Sequence, residues 1–114
     1  MENMEKILEE ITRRLKELDP YKIILFGSLS KQNNDEESDI DLLVILNNDK
    51  ISKNYKEKME KKLLVRNLIW DLSKEIPIDL LVYTKREFEI IMENKNSFFK
   101  ELEKTGKTIY EKAS

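Results

Sequence analysis

Ser38-Asp39-Ile40-Asp41-Leu42-Leu43-Val44-Ile45-Leu46 is an unbroken apolar run entered through two aspartates. Asp39 to Leu46 reads as a strand, and a strand without polar alternation is central and covered on both faces. Side chains alternate along a strand with period 2, so Asp39 and Asp41 project from one face. Two carboxylates about 4 Å apart repel by roughly 4 kcal/mol at an effective dielectric near 20. A divalent cation reverses the sign of that interaction. Asp-x-Asp at the mouth of a buried strand is therefore a candidate metal site.

The pentapeptide Ile-Asp-Leu-Leu-Val returns at Ile78–Val82, and gives Asp79 the same setting as Asp41. If the two strands lie side by side, three carboxylates converge, enough to hold two Mg²⁺ ions about 3.5–4 Å apart. In-line displacement at phosphorus needs such an arrangement. One ion activates the attacking hydroxyl and the other neutralises the leaving pyrophosphate. Upstream, Lys22–Phe26 (KIILF) reads as a buried strand, closed by Gly27-Ser28. Gly27 lets backbone approach a phosphate closely, and Ser28 offers its hydroxyl. A helix starting just beyond would present free N–H groups to an anion. The polar stretch Ser30–Ser38 loops back to Asp39, which puts phosphate cradle and metal site next to each other.

Outward from these strands, Met4, Ile7, Leu8, Ile11, Leu15 and Leu18 have helical spacing. They predict a helix over Glu2–Leu18 that Asp19-Pro20 ends. A long helix is expected over Lys53–Glu75, with Tyr55, Met59, Leu63, Leu68, Ile69 and Leu72 as its apolar face and Pro77 as its limit. Ile78–Tyr83 is a third strand. Lys85–Thr105 reads as one or two helices broken near Asn94-Lys95-Asn96, with Gly106 as the stop and Lys107–Glu111 as an edge strand. The expected order is α-β-β-α-β-α(-α)-β, an α/β (α+β) fold in which helices pack on a small mixed sheet.

The 114 residues suit a single domain, residues 1–114. The chain has no cysteine and no histidine, so disulfides, thiolate metal sites and the usual zinc ligand are excluded. Any metal must bind oxygen, which points to Mg²⁺ or Mn²⁺. The net charge of −2 gives no footprint for direct nucleic-acid binding. No apolar run reaches the roughly 20 residues that span a bilayer, and the first residues do not resemble a signal peptide; a cytoplasmic protein is expected. Lys, Glu and Ile are abundant, a bias that thermophily and an AT-rich genome both produce. Trp70 is expected in the core. Lys53–Lys62 reads as a solvated helix face with Glu–Lys pairing. Lys85 and Arg86 could reach phosphates but stay outside the site.

Phe26-Gly27-Ser28, Ser38-Asp39-Ile40-Asp41-Leu42-Leu43-Val44 and the later Ile78-Asp79-Leu80-Leu81-Val82 together resemble the DNA polymerase β-like nucleotidyltransferase superfamily, in its minimal nucleotidyltransferase branch. The resemblance covers nearly the whole chain, including the Gly106–Glu111 ending. It implies that Gly27 and Ser28 form the phosphate-binding turn, with Lys31 and Ser38 also toward the nucleotide. Asp39 and Asp41 would be the metal pair. Asp79 would be the third carboxylate, taking the acceptor's proton directly or through water. Many members carry arginine straight after Gly-Ser and again two residues on. Leu29 and Lys31 stand there, and of the two only Lys31 can keep the triphosphate contact. The resemblance further implies ATP as substrate, two Mg²⁺ ions and a helical HEPN-type toxin as partner. In such a toxin–antitoxin pair the nucleotidyltransferase is the antitoxin and attaches AMP to a tyrosine hydroxyl of the toxin. Two alternatives stay open: an antitoxin acting by contact alone, and an enzyme for a small molecule such as an aminoglycoside. The latter would need a homo-oligomer to complete its pocket.

Overall fold

Helix α1 (Glu2–Leu15) turns Ile11 and Leu15 fully into the interior. A 3-10 turn over Lys16–Leu18 follows, and Asp19 adopts left-handed backbone angles, φ 52° and ψ 56°. Pro20 bars Asp19 from the right-handed helical region, and aspartate tolerates the left-handed one better than most residues. The expected stop at Asp19-Pro20 is thus found. The computed structural model describes residues 2–26 and 40–113.

Four strands form one sheet in the order β3-β2-β1-β4. They are β1 (Pro20–Phe26), β2 (Ile40–Leu46), β3 (Ile78–Thr84) and β4 (Lys107–Glu111). β1 pairs antiparallel with β2 and with β4. β2 and β3 run parallel, which the helical crossover between them permits. The sheet is therefore mixed, as expected, with β2 inside it and β4 at one edge. Ile40 and Leu42 to Ile45 are completely buried, in keeping with a strand that is apolar on both faces.

Helices cover both faces of the sheet. On one face Ile23, Leu25, Leu42, Val44, Leu80 and Val82 pack with Ile11 and Leu15 of α1 and with Val65 of α2 (Tyr55–Leu68). On the other, Ile24, Phe26, Leu43 and Ile45 meet Phe88 and Met92 of α3 (Lys85–Glu93) and Phe98 and Leu102 of α4 (Ser97–Thr105). Phe26 and Phe98 meet edge to face at 5.8 Å. Each fully buried Leu or Ile contributes about 1.5–3 kcal/mol relative to exposure.

The long helix departs from expectation in two ways. It ends at Leu68 rather than running to Glu75, and only a 3-10 turn over Leu72–Lys74 follows. The Leu68 carbonyl accepts a hydrogen bond from Arg14 of α1 at 3.1 Å, while the Ile69 N–H reaches back to Arg66 rather than a residue earlier. Of the expected apolar face, Leu68, Ile69 and Leu72 do pack into the core, but its first half does not. Val65 is buried within α2 and Ile69 just beyond it, whereas Tyr55 is 76% exposed and Leu63 44%.

The end of β3 is tied down by Thr84. Its hydroxyl accepts from the Glu87 N–H at 3.2 Å and donates to the Lys50 carbonyl at 2.5 Å. The Glu87 carboxylate accepts in return from the Thr84 and Ser52 N–H groups, at 2.9 and 2.8 Å. This capping box starts α3 and also pins the 50–52 segment. α3 and α4 are separate helices, broken where expected: Lys95 has φ 48°, and Asn96 caps α4 by accepting from the Phe99 N–H at 3.1 Å.

Candidate metal centre and nucleotide site

The repeated pentapeptide pairs with itself. β2 and β3 align Ile40 with Ile78, Asp41 with Asp79, and so on through Val44 with Val82. Neighbouring strands lie about 4.8 Å apart, so the Asp41 and Asp79 backbones are one strand spacing from each other. Leu43 and Ile45 on β2, and Leu81 and Tyr83 on β3, face α3 and α4. By alternation Asp41 and Asp79 rise from that same face. Asp41 is half-buried in the interior strand, and Asp79 is exposed on the sheet's edge.

On the other side of Asp41 the register partner is Phe26, the last residue of β1. Gly27 follows Phe26 in the chain and Asp39 precedes Ile40, so both attach at this end of the sheet. Gly27, Ser28, Lys31, Ser38 and Asp39 themselves lie outside the described residues.

The described pair has the chemistry a hard divalent cation needs. Both donors are carboxylates on neighbouring strands, they face the same way, and one is open to solvent; oxygen ligands of this type select Mg²⁺ or Mn²⁺. Among the described residues no group of three candidate ligands forms; the third expected carboxylate, Asp39, is not among them.

One part of the surroundings escapes the reading of the sequence. Asp79 also borders a cavity of about 370 Å³ whose walls include Lys62, Arg66, Trp70 and Lys74. Trp70 does not sit in the core: it is 47% exposed, with the Arg66 guanidinium 4.9 Å and the Lys74 ammonium 5.8 Å from its ring centre. The signal was present as basic residues four positions to either side of a lone tryptophan. Trp70 follows the buried Ile69 and points away from the row that Val65 and Ile69 form. Lys85 and Arg86, by contrast, begin α3 at the far end of β3. Six residues at about 3.3 Å each separate Lys85 from Asp79, and the Lys85 ammonium lies 4.6 Å from the Tyr21 ring centre instead.

This fold is shared with known proteins. Residues 4–78 match the nucleotidyltransferase domain family, and the chain belongs to it. The match stops one residue short of Asp79. No curated protein matches the chain by sequence. Among solved structures, one of a toxin–antitoxin with AMP-PNP has 18% identity over 91% of this chain and 73% of that one, with a TM-score of 0.53. A Sulfolobus solfataricus protein assigned as a nucleotidyltransferase has 14% identity, covers 96% and 86%, and gives a TM-score of 0.56. A variant of the toxin–antitoxin MntA-HpeT carrying two Asp→Glu replacements has 17% identity, covers 91% and 72%, and gives 0.50. At these identities the likeness is one of fold.

Proposed function

We propose that this chain is the antitoxin of a toxin–antitoxin pair and transfers AMP from ATP to a tyrosine hydroxyl of a helical HEPN-type toxin, silencing it. The observation that carries the transfer is the register of Asp41 against Asp79, at the end of the sheet where Gly27-Ser28 and Asp39 attach. The similarly folded toxin–antitoxin with AMP-PNP supports both the nucleotide and the setting.

In the reaction the acceptor oxygen attacks the α-phosphorus, a new O–P bond forms, and the bond from that phosphorus to the bridging oxygen of pyrophosphate breaks. Asp39, Asp41 and Asp79 are the residues that would hold Mg²⁺, which supplies neutralisation of the triphosphate's charge. Asp79, solvent-facing on the edge strand, is the carboxylate an incoming hydroxyl can reach, and takes its proton directly or through water. Gly27, Ser28, Lys31 and Ser38 receive the phosphates. Asp41 is half-buried in the interior strand, while the exposed Asp79 faces the acceptor.

The test is mass spectrometry of the HEPN-type protein after incubation with this chain, ATP and Mg²⁺, beside an Asp39→Ala/Asp41→Ala control. Expected is a gain of one or more AMP units, absent in the control. No gain, with a complex still forming, leaves an antitoxin that acts by contact, a reading the exposed apolar residues of α2 favour.

A further inference from the structure

α2 carries an apolar row that its own sheet does not use. Tyr55, Met59 and Leu63 recur every four residues, the spacing of one helix face. Tyr55 and Leu63 are exposed, and the row runs on toward Trp70 at 47% exposure. From Tyr55 to Leu68 the helix holds five basic residues against two acidic ones, in a chain whose net charge is −2. Glu–Lys pairing was expected to neutralise this surface, yet among the described residues no ion pair forms within α2. Lys62 and Arg66 border the row and also line the cavity that reaches Asp79. An apolar row edged by unpaired positive charge, continuous with a reaction centre, has a definite complement.

We infer that the outward face of α2, from Tyr55 through Leu63 and Arg66 to Trp70, is the docking surface for an acidic, amphipathic helix of the acceptor protein. The inference rests on the protein-acceptor reading above. Apolar residues of the partner's helix lie along Tyr55 and Leu63, as in helix-in-groove recognition. Its carboxylates meet Lys62, Arg66 and Lys74. Trp70, an exposed aromatic with cationic neighbours, is the type of residue that dominates interfaces. The cavity lined by Lys62, Arg66 and Trp70 reaches Asp79 at the edge of the sheet, so docking here holds the acceptor protein beside that edge. The overall negative charge argues against a nucleic-acid strand as occupant.

Trp70 is the chain's one tryptophan, so its fluorescence reports on this surface alone. The experiment titrates the wild-type chain with the HEPN-type protein (a version without tryptophan, or with its own emission subtracted), and measures the complex by calorimetry in parallel. Leu63→Glu and Arg66→Glu are tested separately, both exposed changes whose folding is checked by circular dichroism, and Asp41→Asn serves as the catalytic control. Expected are a shift of Trp70 emission on complex formation, at least tenfold weaker binding for each α2 variant, recovery at low salt for neither, and wild-type binding for Asp41→Asn. Wild-type affinity in both α2 variants, or no complex with the wild-type chain, overturns the inference. So does a Trp70 shift produced by ATP alone or by a single-stranded oligonucleotide, which would assign the surface to those ligands. Loss of AMP transfer in Asp41→Asn with binding kept bears on the catalytic reading alone, so the two can fail separately.

Discussion

In the proposed reaction the chemistry turns on Asp41 and Asp79, and their strand register makes the expectation sharp. Asp41→Asn should lower transfer by more than about 100-fold, since changes even to residues that merely support metal ligands cost 10–100-fold. A second readout needs no activity. Mg²⁺ at 100 times its dissociation constant should stabilise the wild-type fold by about 2.7 kcal/mol, seen as a raised melting temperature, and Asp41→Asn should lose that rise. An equal rise in both proteins would place the metal elsewhere. Gly106 is a residue of another kind. Its φ of −68° suits any amino acid, but an added Cβ would sit 2.5 Å from the Leu102 carbonyl oxygen, the group that accepts the Gly106 N–H. Gly106→Ala should therefore destabilise by about 1–3 kcal/mol in chemical denaturation. Glycine is required here for room rather than for backbone freedom.

At the level of the elements, strands were easier to read than the long helix. The Ile-Asp-Leu-Leu-Val runs have no polar alternation to mislead, and their pairing side by side follows from two identical apolar surfaces flanking one crossover. α2 offers two apolar rows, Tyr55-Met59-Leu63 and the one through Val65 and Ile69. Periodicity alone could not tell which faces the sheet. Arg14 takes the Leu68 carbonyl and the Asp71 carboxylate where the helix ends, while Val65 and Ile69 pack on the sheet. Arg14 is more than fifty residues away in sequence and invisible to local pattern. Trp70 lies outside the buried row, between Arg66 and Lys74. The proposed phosphate-binding residues Gly27, Ser28, Lys31 and Ser38, and the proposed metal ligand Asp39, rest on sequence, because they lie outside the described residues. The junction of β3 and α3 gives this scale its own test. Thr84→Ala removes a buried cap that joins three segments and should cost about 1–2 kcal/mol, measured by urea denaturation. Thr84→Ser, which keeps the hydroxyl, should restore most of it.

Across the whole molecule, carboxylates paired with Arg, Lys or backbone N–H groups contribute to its sensitivity to acid. The Arg13 and Arg14 guanidiniums hold Glu10 at about 2, against 4.5 when free. Arg14 likewise lowers Asp71, and Lys112 lowers Asp19, across the ends of α1 and β4. Burial pushes Glu87 up, but the Thr84 and Ser52 N–H groups outweigh it and leave it below its ordinary value. Groups depressed by folding stabilise the protein fully above their unfolded values, and that stability is lost as pH falls toward the folded ones. The melting temperature should hold from pH 7 to about 5 and fall steeply between about 4.5 and 2, the interval Glu10 sets. Arg14→Met should melt lower at pH 7 and show a shallower fall in acid; an unchanged slope would mean these pairs do not contribute to it. The order β3-β2-β1-β4 has a further consequence, in time rather than in energy. β1 emerges from the ribosome early and can zip onto β2 at once, but its other side waits for Lys107–Glu111, residues synthesised on the order of ten seconds later at about 5–20 residues per second. Through that interval a nascent chain carries Ile23, Ile24 and Leu25 along an open strand edge, the moment at which a chaperone would meet it.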